Sequence, residues 1–110
     1  MNRFELFCMI FYALDAEWDE SQNGKLGEYL SGANPFLFDD NDSADPAIFA
    51  QFCNMVPETV SIEDSYTVAL SYIDSLNEES ISSAFRATSQ EEWTDSVKDY
   101  LAEEHKGSDF

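Results

Sequence analysis

Apolar residues recur along this chain at helical spacing, and no segment alternates cleanly enough for a strand. Phe4, Phe7, Phe11, Leu14 and Trp18 fall three and four positions apart, the stripe of an amphipathic helix. Cys8, Ile10 and Tyr12 widen the stripe until little polar surface remains. The segment 3–18 therefore reads as a central helix wrapped by the others. Ser21-Gln22-Asn23-Gly24 marks a turn. A short helix follows over 25–30 and stops at Ser31-Gly32-Ala33-Asn34-Pro35, where Gly32 suits a left-handed C-terminal position. Phe36-Leu37-Phe38 is then expected to return apolar bulk to the core.

Asp45-Pro46 reads as an N-cap followed by a first helical residue that has no N–H to waste. The helix it opens carries Ile48, Phe49, Phe52, Cys53 and Val56, and ends before Pro57. Ser61 caps the next helix, whose apolar face is Ile62, Tyr66, Ala69, Leu70, Ile73 and Leu76, with Glu63 and Asp64 favoured in its first turn. Glu78-Glu79-Ser80 opens a shorter helix bearing Ile81, Ala84 and Phe85. Ser89-Gln90-Glu91-Glu92 is a capping box ahead of Trp93, Val97, Tyr100 and Leu101. His105 and Lys106 suit the negative end of that helix, and Gly107 is expected to close it. These patterns predict an all-α protein: a compact single-domain bundle of about five to six helices, spanning residues 1–110, around a strongly apolar N-terminal helix.

Charge changes the picture most. The chain has 23 acidic against 5 basic residues, a formal net charge of −18. Disordered acidic tails are poor in aromatics, whereas 15% of this chain is aromatic, which argues for a packed core. Direct nucleic-acid binding needs the Lys and Arg that are scarce here. The two cysteines, Cys8 and Cys53, sit in apolar runs and read as buried thiols of a reducing cytosol. The nine-residue apolar run 6–14 has the length of a signal-peptide core, but Glu5 offsets Arg3 and no small-residue cleavage site follows. It is too short to cross a bilayer. A cytoplasmic protein that meets no membrane is the expectation.

Parts for catalysis are few. His105 is the single histidine and is expected to be solvated at a helix end, a poor place to hold an imidazole against a nucleophile. No phosphate-binding glycine loop or metalloprotease motif occurs, and no cofactor is implied. The densest acidic segment, Asp39-Asp40-Asn41-Asp42-Ser43-Ala44-Asp45, invites a calcium test. In an EF-hand register begun at Asp39, Ala44 stands where Gly is needed and Ala50 where a bidentate Glu is needed, so no metal ligand is assigned.

Two readings stand for this loop: a solvated turn and cap, or a docking loop accepting Lys and Arg. Charge of this size on a compact domain repels itself, yet it speeds association with cations. The leading expectation is an acidic binding protein, of the immunity-protein, antitoxin or nucleic-acid-mimic kind, that occupies the basic cleft of a nuclease-like toxin. Asp39, Asp40, Asp42 and Asp45 are its candidate charged contacts, and Trp18 and Tyr29 its candidate aromatic anchors. The alternative is a helical adaptor without catalytic activity, docking through an apolar groove and marked by exposed aromatics around Phe36, Leu37 and Phe38.

Overall fold

Six helices follow one another in the computed structural model, which describes residues 1–110: α1 (Arg3–Ser21), α2 (Gly24–Ala33), α3 (Pro46–Met55), α4 (Ile62–Ser75), α5 (Glu79–Arg86) and α6 (Gln90–Ala102). The all-α expectation holds. α1 is the central element and packs on α2, α3, α4 and α5. Its residues 4–10 are all buried. At about 100° per residue, seven consecutive positions point in every direction, so this half of the helix has no solvent face. Beyond it the burial narrows, and Phe11 and Trp18 of the predicted stripe are only half-buried.

The caps fall where their chemistry predicts. Asp45 Oδ1 accepts the Ala47 N–H, with Pro46 at the first helical position. Ser61 caps α4, and Ser89 and Glu92 form the reciprocal box of α6. A second capping box went unread in the sequence. Asn2 Oδ1 accepts the Glu5 N–H at 2.8 Å, and Glu5 Oε1 accepts the Asn2 N–H at 2.8 Å.

Aromatic rings fill the interior edge to face, the arrangement their quadrupoles favour. Phe7 lies 5.1 Å from Phe49 and 5.0 Å from Phe52, which in turn meets Tyr72 at 4.7 Å. A second cluster joins Tyr66, Phe85 and Trp93. The Trp93 indole N–H donates to Ser65 Oγ at 2.9 Å, and that hydroxyl donates to the Ile62 carbonyl. This pairing explains why the buried face of α4 differs from the predicted one: Ser65 and Tyr72 are inside, while Ile62, Tyr66, Leu70 and Leu76 are half-buried. A polar group can be interior once its hydrogen bonds are made.

Three further expectations are corrected. Gly32 does not end α2 in a left-handed conformation; it lies inside the helix, where a Cβ would fall 2.6 Å from Ile48 Cδ1. Its smallness lets α2 approach α3. Phe36 packs inward, but Leu37 and Phe38 remain 59% and 60% exposed. Finally, α6 ends at Ala102, so His105, Lys106 and Gly107 belong to a non-helical tail. Gly107 has φ +93° and lies against Phe4, leaving no room for a side chain. Cys8 is buried and Cys53 half-buried, and both are free thiols. Burial raises the Cys8 thiol to about 12, against a smaller opposing effect from Tyr100. No helix is long and apolar enough to cross a membrane.

Candidate functional site

The acidic loop is tied at its root. The Ala44 N–H donates to the Asn34 carbonyl at 2.9 Å and the Asp45 N–H to the Gly32 carbonyl at 2.8 Å. The tail holds it from the other side: Lys106 Nζ donates to the carbonyls of Pro35 and Phe38, and Asn41 donates to Asp109. Within this frame the four predicted aspartates divide. Asp42 accepts the Ser43 N–H and is half-buried, and Asp45 is the cap of α3. Asp39 and Asp40 face solvent without hydrogen-bond partners. The four are therefore one helix cap, one local hydrogen-bond acceptor and two free charges. The Ser43 hydroxyl serves the Asp45 carbonyl and the Phe49 N–H, so this member of the calcium register is committed elsewhere. No group of three or more His, Cys, Asp or Glu converges to hold a metal ion.

The two predicted anchors are separated. Tyr29 is half-buried with its hydroxyl 2.8 Å from that of Tyr72, which ties it to α4. Trp18 is half-buried over Gly27, and borders a cleft of about 200 Å³ with Phe11, Asp15, Leu30 and Asn34. Phe11 also meets Phe36 at 5.7 Å, so this cleft adjoins the start of the acidic loop.

His105 is not a solvated helix-end residue. Its ring Nε2 meets Glu5 Oε2, with both side chains only 9% exposed, and its Nδ1 lies 2.7 Å from the Glu103 carbonyl. Burial acts first and pushes its pKa down. The Glu103 carbonyl and the Glu5 carboxylate outweigh it and leave the imidazole above its ordinary range. A protonated ring donates from both nitrogens at once, which is what these two acceptors require. Both nitrogens are engaged within the fold.

Most of the cations already have partners within the fold. Arg3 donates to the Cys53 and Val56 carbonyls at the end of α3. Lys25 pairs with Glu78, and Arg86 grips Asp74 through two bonds of 2.8 Å. The Arg86 hydrogen bonds hold the Asp74 carboxyl below its ordinary range. With Glu5, these are the only three of 23 carboxylates in ion pairs.

Sequence reasoning also missed a groove between α1 and α6. α6 packs mainly on α4 and meets α1 through Tyr100 and Tyr12, and the two helices leave a gap in which the end of α1 faces the start of α6. The groove has two adjoining parts, of about 280 and about 370 Å³, that share Met9, Tyr12 and Ser96. Glu17 and Glu20 border it from α1, and Glu92, Asp99 and Glu103 from α6. A signal was present: 92, 96, 99 and 103 are spaced four, three and four apart, one face of a helix. That face carries three acids and no large apolar residue, so it read as ordinary solvated surface. No protein-family model, curated protein or solved structure matches this chain.

Proposed function

We propose that the protein binds a cationic protein and blocks it by occupying its basic surface, in the manner of an immunity protein, antitoxin or nucleic-acid mimic. The role is binding without catalysis, in a reducing compartment suited to two unbridged thiols. One observation carries the reading: 20 of the 23 carboxylates lack a cationic partner within the fold, while four of the five basic residues are spent on internal carbonyls or local pairs. Such a surface repels itself, and the repulsion is relieved when a positive partner docks.

A second reading, an adaptor that docks through apolar contacts, draws on the exposure of Leu37 and Phe38. Affinity capture on the immobilised protein, eluted by rising salt, separates them. A stoichiometric basic protein released as salt screens the charges agrees with the first reading. A stoichiometric partner that is neutral or acidic and survives high salt contradicts it.

A further inference from the structure

Exposed acids lie on every helix except α3, and only in the α1/α6 groove do they flank a substantial apolar floor. Asp39 and Asp40 stand beside exposed Leu37 and Phe38 but border no comparable groove, while Asp42 and Asp45 accept backbone N–H groups. The Trp18 cleft is smaller and has one carboxylate, Asp15. A hollow formed by Glu63, Glu91 and Asp95 with Gln90 and Thr94 has no hydrophobic lining at all. The α1/α6 groove differs from each. Met9, Tyr12, Ala13 and Ala16 lie along its α1 side, with Tyr12 47% exposed. Tyr12 also meets Phe36 at 4.9 Å and Tyr100 at 5.9 Å, so the floor runs on toward exposed Leu37 and Phe38. Carboxylates stand on both walls, and no Lys or Arg borders the groove.

Length and shape restrict the occupant. From position 9 to position 20 a helix rises about 17 Å, which matches roughly three turns of a guest helix lying between two antiparallel hosts. A helix in a groove is anchored by apolar residues at i, i+3 or i+4, and i+7. Walls of one sign select for the opposite sign on the flanks of that stripe.

We propose that this groove receives an amphipathic helix of about three turns from the partner, with an apolar stripe against Tyr12 and Ala16 and Lys or Arg on both flanks. The inference rests on the cationic-partner reading and specifies the part of the partner that docks. Aromatic burial supplies affinity, and Glu17 and Asp99 on opposite walls fix the guest's register.

The test is selection from a display library of random helical peptides against the full-length protein, followed by affinity measurement on three variants that keep wild-type helical content. Glu17→Gln with Asp99→Asn removes a charge from each wall. Glu63→Gln with Asp95→Asn removes the same charge elsewhere. Ser96→Trp fills the groove without changing charge. The expected winners combine a stripe with excess Lys and Arg. Their affinity falls about tenfold in the groove pair, changes less than about twofold in the remote pair, and is lost in Ser96→Trp. Basic winners without a stripe, weakened equally by both pairs, overturn the groove but leave the cationic-partner reading standing. Striped neutral winners, blocked by Ser96→Trp and indifferent to both charge pairs, overturn the cationic partner itself. Failure to enrich any peptide overturns both.

Discussion

Glu5 does three things with one carboxylate. It caps α1 through Asn2, it holds the tail through His105, and it does both while almost fully removed from solvent. The tail fastens around the same point: Asn2 donates to the Gly107 carbonyl, Phe110 stacks on Phe4 at 5.5 Å, and Tyr100 donates to the Lys106 carbonyl. The raised pKa of His105 gives this clasp a pH dependence. Because the folded value exceeds the ordinary imidazole value of about 6.5, the stabilisation is complete below that pH and is lost as pH rises through the folded value. Replacing His105 with Ala should therefore destabilise the protein by about 1–3 kcal/mol at the acid end of this window, and by less at the alkaline end. Denaturant unfolding at the two pH values checks this; an equal loss at both would contradict the ion pair. The clasp could not be read from the sequence, because 100 positions separate Glu5 and His105 and each has an ordinary local explanation.

Elements were far more legible than the gaps between them. Asp45-Pro46, Ser61 and Ser89-x-x-Glu92 act through backbone groups two or three residues away, and such local chemistry survives into the fold unchanged. The faces of the helices were less secure. On α4, Ser65 displaced larger residues from the interior because Trp93, 28 positions on, needed an acceptor. The α1/α6 groove went unread for a related reason. Helical spacing shows which residues share a face, but not which neighbour that face will lack.

The acidic loop shows the same division within seven residues, since Asp45 is a cap and Asp39 is a free charge. Replacing Asp45 with Ala should cost about 1 kcal/mol, and replacing it with Asn very little, because Asn keeps the capping oxygen. Asp39→Asn and Asp40→Asn remove only self-repulsion and should leave stability within about 0.5 kcal/mol of the parent. Thermal or denaturant melts of the four variants check the assignment. A large loss on neutralising Asp39 or Asp40 would show that they hold structure after all.

At the scale of the whole molecule the fold leaves most of its carboxylates in solvent and few of its cations free to offset them. Arg3 and Lys106 satisfy carbonyls at the end of α3 and in the loop, where they stitch the chain together but neutralise little of its surface. The remaining field is broad, and walls that flank a groove concentrate it. The central claim is that cations collect most strongly along the α1/α6 groove. The measurement that tests it directly is backbone-amide paramagnetic relaxation with a cationic and an anionic co-solute of the same size, on the free protein at low ionic strength. The largest cation-to-anion ratio is expected along residues 9–20 and 92–103, and a smaller one at Asp39 and Asp40. A uniform ratio over the surface, or a maximum at the acidic loop, would contradict it.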